Sequence, residues 1–143
     1  MADKHRILLI EDCEGDIDLI TNALEETGFD GEINSIRDGE DAFEYLMPNK
    51  IDDRPPLPSL IILDINIPKI SGIELLDALK RTHHTKGIPT VILTSSAREQ
   101  DINRCYEHHA SAYFVKPASY AELVELISAI STTWLKLAKL KLG

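Results

Sequence analysis

Short apolar runs alternate along this chain with stretches in which apolar residues recur every three or four positions. Ile7-Leu8-Leu9-Ile10, Leu60-Ile61-Ile62-Leu63, Val91-Ile92-Leu93 and Ala112-Tyr113-Phe114-Val115 are unbroken. Each is bounded by polar residues, which predicts strands buried on both faces. Glu32 to Ile36 reads as a weaker strand. Between the runs, Ile17, Leu19, Ile20, Ala23 and Leu24 recur at helical spacing, with Gly28 placed to end the helix. Gly39 to Met47, Ser71 to Thr82, Glu99 to His108 and a last stretch from Ser119 toward Leu142 are the other expected helices. Pro55, Pro56 and Pro58 make Asn49 to Ser59 a loop. Five β-α alternations predict an α/β fold with a parallel sheet covered by helices on both sides. The crossovers in such a sheet are right-handed.

Length and composition change this picture little. The 143 residues suit one domain, with 43% hydrophobic and 27% charged residues. The formal charge of −9 argues against non-specific binding to nucleic acid or to an anionic membrane. Cys13 and Cys105 form no CxxC and no zinc-finger spacing with histidine, so two reduced thiols are expected. No signal-peptide pattern opens the sequence and no apolar run is long enough to span a bilayer, so a soluble, cytoplasmic protein is expected.

The candidate chemistry sits at the strand ends. In an open parallel sheet, ligands bind at the carboxyl edge. Glu11 and Asp12 follow the first strand, Asp64 the third, Thr94 ends the fourth, and Lys116-Pro117 follow the fifth. Clustered carboxylates repel one another unless a cation or protons offset them. A hard divalent cation such as Mg²⁺ suits these oxygen ligands. Such a cation, one ammonium and one hydroxyl suit a phosphoryl group, with a carboxylate as nucleophile. Asp64 ends the most apolar strand and is the expected phosphoacceptor, and the adjacent Glu11 and Asp12 form the metal side.

In these pieces the sequence resembles the receiver domain of two-component response regulators, with its flavodoxin-like, CheY-like fold. The matching segments are Ile7 to Asp12, Leu63 to Pro68 with Ser71-Gly72, Val91 to Ser96, and Tyr113 to Pro117. The resemblance implies a (βα)5 doubly wound sheet of strand order 2-1-3-4-5. It implies that Asp64 accepts a phosphoryl group from a histidine kinase or phosphotransfer protein. Mg²⁺ would be held by Glu11, Asp12, Asp64 and the backbone carbonyl of Asn66. Thr94 and Tyr113 would be the switch residues, Lys116 would pair with the phosphoryl group, and the Lys116-Pro117 peptide would be cis. On this reading the protein is not an enzyme beyond its own phosphorylation and dephosphorylation. No output domain follows, so a stand-alone receiver is expected. The Pro-rich insertion and Trp134-Leu135 also resemble single-domain regulators paired with bacterial phytochromes.

One departure concerns His109, where the family carries glycine; a left-handed backbone there would cost stability. The alternative chemistry is a haloacid-dehalogenase-type aspartyl phosphatase, which needs a second aspartate two residues after the nucleophile. Asn66 stands there instead. The receiver is expected over residues 1–131, with 132–143 extending the last helix. That extension holds Lys136, Lys139 and Lys141 and no acid, so the rest carries −12 against −9 for the whole chain. Packing on the domain or a homodimer contact is its expected role.

Overall fold

The computed structural model describes residues 5–135. Five strands, β1 (Arg6–Ile10), β2 (Glu32–Ile36), β3 (Leu60–Leu63), β4 (Thr90–Thr94) and β5 (Ala112–Val115), form one parallel sheet in the order β2-β1-β3-β4-β5. The helices are α1 (Glu14–Glu26), α2 (Gly39–Leu46), α3 (Gly72–Arg81), α4 (Glu99–Glu107) and α5 (Tyr120–Ile130). The expected topology is therefore observed.

Period-two alternation explains why these strands are apolar throughout. Leu8, Ile10, Ile61, Leu63 and Ile92 face a core shared with α2, α3 and α4. Ile7, Leu9, Leu60, Ile62, Val91 and Leu93 face the opposite core, against α1 and α5. The central strands β1, β3 and β4 are buried from both sides. Strand β5 was expected to be buried too, yet Val115 is 43% exposed. It is an edge strand that pairs only with β4, so one flank meets solvent.

Local signals set the helix starts. Asp38, Ser71 and Ser119 each accept a hydrogen bond from the backbone N–H three residues on, at Asp41, Glu74 and Glu122. Helix α1 ends through Gly28 in the left-handed region (φ +87°), as its sequence predicts. The Pro-rich loop holds one short 3-10 turn, Ile51–Asp53.

The last helix does not continue unchanged. After Ile130 the backbone widens into a π-turn, Ser131–Leu135. This turn lets Trp134 meet Phe114 edge to face, with ring centres 6.4 Å apart, and buries Leu135. Packing of this segment on its own domain is thus observed as far as Leu135. Lys136, Lys139, Lys141 and the expected dimer contact lie outside the described residues. No helix among the described residues is long and apolar enough to cross a membrane.

Candidate functional site

Three residues of the site stand one position beyond a strand, and each is held by a backbone bond that continues the sheet. Glu11 N–H donates to Ile36 O at 3.0 Å, Asp64 N–H to Ile10 O at 2.9 Å, and Lys116 N–H to Thr94 O at 2.8 Å. The sheet ladder therefore fixes the roots of these side chains while their tips converge at its carboxyl edge.

The convergence centres on Lys116. Its ammonium donates to Glu11 Oε1, to Asp16 Oδ2 at 2.7 Å and to Asp64 Oδ2 at 2.8 Å. Glu11 and Asp64 are buried, at 1% and 5% exposure. Asp64 Oδ1 accepts from Asn66 N–H at 3.0 Å, and Glu11 Oε2 accepts from Cys13 N–H at 3.1 Å. Thr94, fully buried, ends β4 beside them.

Burial and pairing pull the two buried acids apart. Burial pushes the Glu11 carboxyl up to about 7, against the Lys116 ammonium and the Cys13 N–H, with the Asp64 charge adding to the rise. Burial acts on Asp64 in the same sense. There it is outweighed by Lys116, the Asn66 N–H and the Thr94 hydroxyl, which hold Asp64 below the ordinary aspartate value. Asp64 is therefore the carboxylate kept ionised, which is the state a nucleophile needs. Burial alone would lower the Lys116 ammonium, but Asp16, Asp64 and Glu11 raise it further above its ordinary value.

Gly72 shapes the floor of the site. Its N–H donates to Ile65 O at 3.0 Å. A Cβ there would lie 2.5 Å from Asp64 O and would collide with Ile65 Cα. The Ser71-Gly72 pair thus starts α3 and lets it press against the loop that carries Asp64.

The structure brings Glu11, Asp64, Thr94 and Lys116 together as the sequence predicts. Asp12 stays apart. It is exposed, Arg37 Nη2 donates to its backbone carbonyl at 3.1 Å, and its carboxylate takes no part in the Lys116 cluster. No group of three or more His, Cys, Asp or Glu side chains among the described residues is arranged to hold a metal. The expected cis Lys116-Pro117 peptide is corrected, because no peptide among the described residues is cis. A trans X–Pro bond is favoured by about 0.5–1 kcal/mol. With Lys116 N–H on Thr94 O, the trans chain already delivers the ammonium to the carboxylates.

Asp16 is the residue that sequence reasoning missed. It stands four residues after Asp12 in the first turn of α1. Its place in the first turn of the helix that follows β1 was the available signal. Tyr113 is half-buried, and its hydroxyl donates to Ser96 O at 2.8 Å, two residues past Thr94. Its N–H donates to the Tyr106 hydroxyl at 3.1 Å.

A family model described as the response regulator receiver domain matches residues 7–128. The chain is 38% identical over 133 residues to "Probable methanogenesis regulatory protein FilR2" of Methanothrix harundinacea, covering 93% of this chain and 85% of that protein. It is 35% identical over 130 residues to response regulator Rcp1 of Synechocystis sp., covering 91% and 88%. Among solved structures, the phosphorylated cyanobacterial phytochrome response regulator RcpA superposes with a TM-score of 0.86 at 36% identity, covering 94% of this chain and 95% of that one. The Mn²⁺-bound form of Rcp1 superposes with a TM-score of 0.83, covering 92% and 94%. Nothing in these comparisons supports the phosphatase alternative.

Proposed function

The chain belongs to the response regulator receiver domain family, and we propose that Asp64 is the residue on which it accepts a phosphoryl group. The observation that carries this reading is the Lys116 ammonium on Asp64 Oδ2 at the carboxyl edge of the sheet. An ionised, nearly buried carboxylate beside a fixed ammonium is a nucleophile whose product charge is already met. As the receiver family implies, the phosphodonor is a histidine kinase or phosphotransfer protein. One Asp64 oxygen forms a bond to phosphorus while the donor's P–N bond breaks and its electron pair leaves with the imidazole. Lys116 then pairs with the phosphoryl oxygens, and Thr94 offers a hydroxyl next to them. The chain's own catalysis is confined to this transfer and its hydrolysis.

The donor set suits a hard divalent cation. Glu11 and Asp64 already aim one oxygen each at a shared cation, the Lys116 ammonium. Glu11, Asp64 and the Asn66 carbonyl, joined by Asp12, whose carboxylate stands outside the cluster in this structure, are the residues that would hold Mg²⁺, which would supply positive charge against the phosphoryl oxygens. The Mn²⁺-bound form of Rcp1 supports a divalent ion in this family. The likeness to RcpA supports the phytochrome-associated type. Thr94 and Tyr113 are proposed to carry the signal outward. Tyr113 spans from the loop after β4 to α4 through Ser96 and Tyr106, so a move of Thr94 would reach the α4–β5 face.

Incubation with Mg²⁺ and acetyl phosphate, followed by intact mass measurement, tests the assignment. One base-labile phosphoryl group is expected on the wild type and none on Asp64→Asn. Labelling that survives in Asp64→Asn would overturn it.

A further inference from the structure

We infer that Asp16 is a positioning residue for Lys116, the half-exposed anchor that holds the ammonium when the two buried carboxylates turn to a divalent cation. The inference rests on the functional reading above and deepens it. An ammonium has three N–H donors and no acceptor. In this structure all three are engaged, on Glu11, Asp16 and Asp64. The three acceptors are not equivalent. The side chains of Glu11 and Asp64 are 1% and 6% exposed, whereas that of Asp16 is 34% exposed. Glu11 and Asp64 are also the two carboxylates that must turn to the divalent cation and the phosphoryl group. Asp16 has no such second task. It sits in the first turn of α1, where the helix dipole favours a negative charge and fixes its place.

The consequence follows from competition. One ammonium and one divalent cation seek the same two buried oxygens. Asp16 gives the ammonium an acceptor that it keeps when the cation takes Glu11 and Asp64. Without Asp16 the ammonium has only the buried pair for acceptors, and a cation that displaces it leaves it unpaired. Removing Asp16 should therefore weaken divalent-cation binding, although it removes no ligand. The effect should depend on Lys116 being present.

The test is Mn²⁺ binding to the unphosphorylated full-length protein, followed by electron paramagnetic resonance of the free ion. Asp16→Asn should raise the Mn²⁺ Kd about three- to tenfold, the size of a coupled charge pair at a partly exposed position. Asp18→Asn removes the same charge from an exposed position on the same helix and should leave the Kd unchanged. Lys116→Met should tighten Mn²⁺ binding, and Asp16→Asn added to it should have little further effect. A loss of equal size with and without Lys116 would mean that Asp16 acts by its field alone, and would overturn the inference. So would an unchanged Kd in Asp16→Asn, or an equal loss in Asp18→Asn. Should Lys116→Met not fold, Lys116→Gln takes its place in the same cycle. A wild type that bound no Mn²⁺ would overturn the metal reading of the site itself, and this inference with it.

Discussion

His109 occupies at the end of α4 the same left-handed station that Gly28 occupies at the end of α1, with φ +67° and +87°. The hydrogen bonds are the same pair. After α1, Gly28 N–H donates to Glu25 O and Phe29 N–H to Leu24 O; after α4, His109 N–H donates to Tyr106 O and Ala110 N–H to Cys105 O. Both are Schellman closures, in which glycine is preferred because it has no Cβ to clash. His109→Gly should therefore stabilise the protein, by about 0.5–1 kcal/mol after the greater freedom of glycine in the unfolded chain is offset. Thermal unfolding should show a rise of about 2–5 °C. His109→Val, β-branched at positive φ, should move the midpoint the other way. Equal midpoints for the glycine variant and the wild type would show that the histidine is unstrained.

The two thiols should differ sharply in reactivity. Cys13 is exposed at the start of α1, while Cys105 is buried inside α4. Burial, aided by the Asp101 charge, pushes the Cys105 thiol up to about 11. The thiolate is the reactive form, so Cys105 is protected twice, by access and by protonation. An aromatic disulfide reagent at pH 8 should label one thiol per native chain, lost in Cys13→Ser, and two in denaturant. The same shift has a sign in stability. The folded thiol holds its proton above the ordinary value near 9, so stability is lost as pH rises from about 9 toward 11. Cys105→Ala should flatten that alkaline decline. Rapid native labelling of Cys105 would contradict its placement.

Most of the fold was legible because the apolar runs are short, unbroken and end in polar residues. Glu11, Asp64 and Lys116 could be found for the same reason, since a strand that stops at a charged residue puts that residue on the sheet edge. Burial of β5 was overread. Tyr113, Phe114 and Val115 are apolar enough for a central strand, and only the pairing order shows that they lie on an edge. Asp16 escaped because it lies in a helix full of surface acids, and its role depends on where the Lys116 tip ends up. The trans Lys116-Pro117 bond could not be read from the dipeptide, since the two isomers of an X–Pro bond differ by about 0.5–1 kcal/mol. The missing glycine at His109 marked a place where a left-handed backbone would cost stability, and φ is +67° there.

Gly72→Ala should damage the site through packing alone. The added methyl would meet the backbone of Asp64 and Ile65, and backbone cannot rotate away as a side chain can. Overpacking of this kind costs about 1–3 kcal/mol. Because the clash falls on the residue that roots the proposed nucleophile, the rate of phosphorylation by acetyl phosphate should fall as well. Denaturant unfolding and phosphorylation kinetics on the same variant would check both. Ser71→Ala provides the contrast. It removes only the cap on Glu74 N–H, costing about 1 kcal/mol, and leaves Asp64 in place.

Tyr113→Phe separates the phosphorylation chemistry from its transmission. The substitution removes the hydroxyl that donates to Ser96 O and leaves the ring among the residues packed on the α3–α4 core. The loss of one half-buried hydrogen bond should cost about 0.5–1.5 kcal/mol. Asp64, Lys116 and Glu11 are untouched, so the amount of phosphoprotein formed should match the wild type. What should change is the coupling. In the wild type, phosphorylation is expected to alter amide hydrogen exchange in the loop from Ser95 to Arg98 and in α4, because Tyr113 ties that loop to β5 and, through its own N–H, to Tyr106. In Tyr113→Phe that response should shrink while the exchange of the unphosphorylated loop rises, since one of its tethers is gone. The Ser96 hydroxyl remains bound to Asp101, so the loop stays attached to α4. A full-sized exchange response in the variant would show that the signal leaves Thr94 by another route.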